Sequence, residues 1–144
     1  MAEATGIQVE ELGLFTDLYQ LTMAQSYLEH DQNRPATFSL IVRKYPPEHA
    51  YLVAAGLATV LEYLAQVRFS PRALTYLRQT GRFSEAFVDY LATWRFQGDV
   101  VALPEGSVFF ANEPVLEVTA PIVDAQLVAS EVAPVEYKEV KIEE

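Results

Sequence analysis

The chain has 144 residues with a formal charge of −10 and no cysteine, enough for one domain that buries most of its apolar side chains. An acidic surface excludes a nucleic-acid or anionic-membrane footprint as the main binding mode, because both require clustered Lys and Arg. Without cysteine there is no disulfide framework, thiolate nucleophile or zinc knuckle. The acidic N-terminus has no basic start followed by an apolar run, and no window has the apolar length of a membrane span, so the expected location is the cytoplasm.

In chain order, the first element is a helix over 17–30. Leu14, Leu18, Leu21 and Leu28 share one face, and Phe15, Tyr19, Met23 and Tyr27 form a second stripe at i, i+4 spacing. Thr16 is the expected cap, with Asp17 in the first turn. The β-branched and aromatic run over 36–42 reads as a strand ending in the basic loop Arg43-Lys44-Tyr45-Pro46-Pro47, and 51–54 reads as a second short strand. Gly56 leads into a helix over 57–67. Ser70-Pro71 starts another that Gly81 ends, and Ser84 starts a third of about ten residues. Three short β runs then follow, over 98–103, 107–111 and 115–119, separated by Pro104-Glu105-Gly106 and Asn112-Glu113-Pro114. They read as a small meander. After Pro121 an apolar helical pattern opens over 122–128 and stops early. The residues from 130 onward, rich in Glu, Lys and Pro, read as a solvated tail. The fold class is α+β, divided into an N-terminal extension (1–13), one domain (14–129) and an acidic tail (130–144).

Most catalytic signatures are absent. There is no G-x-S-x-G, no glycine-rich phosphate loop and no H-E-x-x-H. His30 and His49 sit beside turns next to Asp31 and Glu48 and read as surface histidines, so no metal site is expected. The pairs Glu62 with Glu29 and Asp89 with Glu85 read as solvated carboxylates. The over-specified segment is the helix start Phe15-Thr16-Asp17-Leu18-Tyr19-Gln20-Leu21-Thr22-Met23. An aromatic beside free amides and an acid can stack on a flat heterocycle while the helix end faces its polar substituents. The alternative is that Phe15, Tyr19 and Met23 are core.

Several separate stretches resemble the N-terminal part of bacterial nicotinate phosphoribosyltransferases: Thr16 through Ala24, Ala36-Thr37-Phe38 through Arg43-Lys44, Ala55-Gly56-Leu57, Phe83 through Leu91, Gly98-Asp99-Val100, Pro104-Glu105-Gly106 and Asn112 through Leu116. The resemblance implies transfer of a phosphoribosyl group from phosphoribosyl pyrophosphate to nicotinate, coupled to ATP hydrolysis, in NAD biosynthesis. It further implies that Tyr19 stacks on the pyridine ring, often within a partner subunit's site, that Arg43 binds a substrate phosphate, and that Asp17 is a substrate-side acid or a helix-start carboxylate. Such enzymes continue into a large α/β barrel that carries the phosphorylated histidine and most substrate ligands, and this sequence has no counterpart of it after 128.

The expectations follow from that departure. The chain alone has no catalytic residues and binds no cofactor, while ATP and Mg2+ belong to the intact enzyme. It forms a homo-oligomer or associates with a barrel-containing chain. The alternatives are a non-catalytic binding or interaction module that docks on a full-length phosphoribosyltransferase, and a related quinolinate- or nicotinamide-using enzyme.

Overall fold

The computed structural model describes residues 9–44 and 50–132. A short 3-10 helix (Val9–Leu14) precedes α1 (Leu18–Glu29), β1 (Pro35–Ile41), β2 (Leu52–Val53), α2 (Leu57–Gln66), α3 (Pro71–Gln79), α4 (Glu85–Thr93), β3 (Asp99–Ala102), β4 (Val108–Phe109), β5 (Pro114–Pro121) and α5 (Ile122–Val132). The α+β class expected from the sequence is the one observed.

Alternation explains the main sheet. In β5, Leu116, Val118 and Ala120 are buried while the residues between them are partly or fully exposed, the period-2 pattern of a strand with one face on a core. β5 is central and antiparallel to both neighbours, giving the order β1-β5-β3. Phe38 pairs with Val118, which pairs in turn with Val100. The other face carries Thr37 bonded to Thr119 and Ser39 donating to Glu117, each at 2.8 Å.

The expected meander is split between two sheets. β4 leaves its sequence neighbours and pairs with β2, Leu52 opposite Phe109 and Val53 opposite Val108, while β3 reaches β5 directly. The turns were legible because Gly and Pro mark them, but partner choice depends on which faces are apolar across distant segments.

Helix boundaries follow local chemistry. Ser70 Oγ accepts from Ala73 N at 3.1 Å with Pro71 at the first helical position, and Ser84 Oγ accepts from Phe87 N at 3.3 Å. Arg78 joins α3 to α4, with Nε 2.8 Å from Glu85 and an Nη 2.7 Å from Asp89. The Glu85 and Asp89 pair is thus an exposed ion-pair cluster.

The main core fills the space between sheet and helices, and a smaller cluster of Ala36, Phe38, Ala120 and Ala125 lies beside it. Phe87, Val88 and Leu91 of α4 meet Leu74 and Leu77 of α3, Tyr63 and Leu64 of α2, and Val123, Leu127 and Val128 of α5. Phe69 and Trp94 pack edge-to-face at 5.8 Å. Leu12, within the segment read as an extension, is 1% exposed and belongs to this core, so the packed unit begins before residue 14. At the other end α5 runs on to Val132, itself buried, past the point where the apolar pattern was expected to stop. The remainder of the tail, 133–144, lies outside the described residues, as does His49.

α5 enters directly from β5 and is tied at its start. Ile122 N donates to Arg34 O at 2.8 Å and Val123 N to Asn33 Oδ1 at 3.2 Å, so the turn before β1 satisfies amides that a helix leaves open. In the same turn Asp124, 5% exposed, accepts from Trp94 Nε1 at 3.0 Å, Tyr90 Oη at 3.2 Å and Gln97 N at 3.2 Å. Three donors make this burial tolerable. Gly98 follows, and a Cβ there would meet Ala120 Cβ and Thr119 O at 2.7 Å, which explains why this residue type lets 94–98 lie against β5.

Two outcomes follow. Asp124→Ala strands the three donors and should cost roughly 3–5 kcal/mol, read from denaturant midpoints. The Tyr90 phenol is pushed up from 10.0 to about 12, chiefly by burial and secondly by the Asp124 charge. The fold therefore favours the protonated phenol, a contribution present below pH 10 and lost as pH rises toward 12. Tyr90→Phe should flatten that alkaline loss, measured as the denaturation midpoint against pH.

Candidate functional site

The helix start singled out in the sequence forms at Leu18, one residue later than expected. Phe15 N donates to Leu12 O at 3.1 Å, closing the 3-10 turn, and Asp17 has the extended backbone of the cap position (φ −73°, ψ 143°). Thr16 is therefore not the cap, and its buried Oγ1 has no hydrogen-bond partner. Asp17 caps by backbone position alone, without a side-chain bond to the helix amides, while its carbonyl accepts from Gln20 N at 3.0 Å.

α1 turns two unlike faces to its surroundings. Gln20, Leu21 and Ala24 are buried, with α1 packed along α5. Phe15, Leu18, Tyr19 and Met23 face outward, and Tyr19 is 50% exposed. Phe15, Tyr19 and Met23 thus lie outside the core of this chain, and Leu18, from the other stripe, lies with them. The reason is the partner: α1 packs mainly along α5, which covers one of its sides. Thr22 Oγ1 donates to Tyr19 O at 2.8 Å, and Gln20 Nε2 donates to Tyr19 Oη at 2.9 Å.

The structure places Asp17 and Tyr19 together at the start of α1. Arg43 stands on a different element, exposed just beyond the end of β1; nearby, Asn112 N donates to Val42 O at 2.8 Å. His30 is exposed, its Nδ1 2.8 Å from Ser26 O. Among the described residues no three His, Asp or Glu side chains group so as to hold a metal ion, and no helix is long and apolar enough to cross a membrane.

A second place joins two quoted motifs. Gly56, at φ 96°, precedes α2 in a left-handed conformation that favours glycine. Glu105, from the turn before β4, accepts from Gly56 N at 3.1 and 3.2 Å and from Ala58 N at 3.2 Å. A distant carboxylate thus does the work of a helix cap and complements the helix dipole. Beside it lies an apolar hollow of about 280 Å³, bordered by Leu40, Ala54, Val60, Leu103, Leu116 and Val132. Glu105 and Gln20 lie in stretches the sequence singled out, but their roles, and that of Gln126, were not legible, since nothing local marks a side chain whose partner is 49 or 106 residues away.

Residues 14–133 match the family model described as the nicotinate phosphoribosyltransferase N-terminal domain. Nicotinate phosphoribosyltransferase pncB2 of Mycobacterium tuberculosis is 51% identical over 115 residues, 80% of this chain and 25% of that protein. The Bacillus subtilis nicotinate phosphoribosyltransferase is 39% identical over 124 residues, 85% and 25% of the two chains. The crystal structure of human nicotinic acid phosphoribosyltransferase matches with a TM-score of 0.70 at 34% identity, over 79% of this chain and 24% of that one. A nicotinate-nucleotide pyrophosphorylase from Pyrococcus furiosus, at 18% identity and a TM-score of 0.57, shares the fold.

An α+β unit with this helix start and these turns is thus of the type that opens a phosphoribosyltransferase. The chain belongs to the nicotinate phosphoribosyltransferase N-terminal domain family, and it spans about a quarter of the length of the relatives it matches.

Glu105→Ala should remove the α2 cap and cost about 1 kcal/mol, with the loss in helix signal and midpoint measured by circular dichroism during denaturation.

Proposed function

We propose that this chain provides the aromatic wall of a nicotinate site within a nicotinate phosphoribosyltransferase, and that it does not complete the reaction alone. The observation that carries this reading is the outward face of α1. Phe15, Leu18, Tyr19 and Met23 remain exposed although the same helix buries Gln20, Leu21 and Ala24. Tyr19 offers a half-exposed π-face on a rigid helix start, which suits stacking against a flat pyridine ring. Asp17, two residues earlier at the cap of the same helix, is the substrate-side acid in this reading, and the exposed Arg43 guanidinium is the group for a substrate phosphate.

In the whole enzyme the phosphoribosyl group passes from phosphoribosyl pyrophosphate to nicotinate, coupled to ATP hydrolysis, for NAD synthesis in the cytoplasm. Negative charge develops on the departing pyrophosphate, and its stabilisation needs several preorganised donors and cations around one point. ATP and Mg2+ belong, on this reading, to the intact enzyme.

A second observation supports association with a further chain or domain. Alternation along the β2–β4 ribbon puts Tyr51 and Val53 beside Val108 and Phe110, all four exposed. An apolar sheet face of this kind is ordinarily covered. It favours a unit that joins a barrel-containing chain or another copy, and it is also what a non-catalytic docking module would present.

The test joins the chain to the downstream three quarters of the Mycobacterium tuberculosis relative. The chain alone, given nicotinate, phosphoribosyl pyrophosphate, ATP and Mg2+, should form no nicotinate mononucleotide, and the joined protein should. In the joined protein Tyr19→Ala should weaken nicotinate binding by roughly 1–3 kcal/mol, the range for stacking on a planar base. Turnover by the separate chain, or a nicotinate KM indifferent to Tyr19→Ala, contradicts the proposal.

A further inference from the structure

We propose that Gln20 and Gln126 form a buried relay that positions Tyr19, fixing its ring. The inference rests on the reading of Tyr19 as the stacking residue and deepens it by naming what holds the ring.

Two glutamines in the contact between α1 and α5 call for a reason. Gln20 is 2% and Gln126 4% exposed, and buried amides are costly unless paired. Leucines would fill the same space between the helices without that requirement. What the amide pair has, and an apolar pair lacks, is direction. Gln126 Nε2 donates to Gln20 Oε1. The oxygen end of Gln20 is thereby committed to α5, which turns its nitrogen end toward α1's surface, where Nε2 donates to Tyr19 Oη at 2.9 Å.

The backbone under the ring is pinned as well, by Thr22 Oγ1 to Tyr19 O at 2.8 Å and Gln20 N to Asp17 O at 3.0 Å. A half-exposed tyrosine at a helix start would otherwise sample several rotamers. Holding one in advance removes an ordering cost from the ligand, a gain of roughly two- to tenfold in affinity. Gln20 and Gln126 act through Tyr19 and are positioning residues.

The experiment uses the full chain with 13C-labelled tyrosine rings, the Tyr19 signal being identified by its loss in Tyr19→Phe. In the double variant Gln20→Leu with Gln126→Leu, which keeps the apolar packing, the Tyr19 ring signal should move to the free-tyrosine position and report rotamer averaging. An unmoved signal overturns the relay. The reciprocal measurement needs no core substitution. Tyr19→Phe, at a half-exposed position, should shift the side-chain amide resonances of Gln20, and an unchanged Gln20 amide likewise overturns the proposal even where the double variant fails to fold. Neither readout involves nicotinate. A relay that fails these tests is therefore told apart from a nicotinate reading that fails the Tyr19→Ala measurement.

Discussion

Everything in this fold hangs on how α5 is seated. Its first turn carries a carboxylate that is taken out of water, and that is acceptable only because Trp94, Tyr90 and the Gln97 amide converge on it. The same turn receives Asn33 and Arg34 from the approach to β1. With both ties made, Val123, Leu127 and Val128 enter the core and Gln126 reaches α1. The outward face of α1 is a by-product of this seating, since α5 occupies the other side.

The four caps show a shared physical need met in different ways. Ser70 and Ser84 cap from the adjacent residue, the local solution, and so are visible in the sequence as Ser-Pro and Ser-Glu before apolar runs. α2 begins at a glycine that has no side chain to offer and borrows Glu105 from beyond two helices. α5 begins straight from a strand and borrows Asn33. Borrowed caps tie tertiary structure to helix ends, so α2 and α5 are complete only when the chain has closed.

That distinction explains what could be read in advance. The α-helices and strands were legible from periodicity, turn residues and local caps, because those signals lie within a few residues, whereas the 3-10 helix Val9–Leu14 fell in the segment read as an extension. Partner choice was not. Val108 and Phe109 look like the middle strand of a meander, yet they pair with Leu52 and Val53. Of the site, Tyr19 lies in the expected helix while Asp17 is its cap residue and not part of its first turn, and the two apolar stripes marked a helix with more apolar surface than one partner can cover. Which stripe faces inward depends on α5, and nothing within α1 records it.

The pairing of β1 with β5 has a further meaning for a chain made from its N-terminus. Pro35 meets Pro121 and Phe38 meets Val118, so the first strand waits until the fifth has been made, and α5 comes later still. During synthesis no shorter nascent piece holds both the central strand and the helix that covers it. Consolidation is then a late event, taking place only once residues near Val132 have cleared the ribosomal exit. Until then the apolar sides of α1 and β1 are open to whatever chaperone or neighbouring polypeptide meets them first.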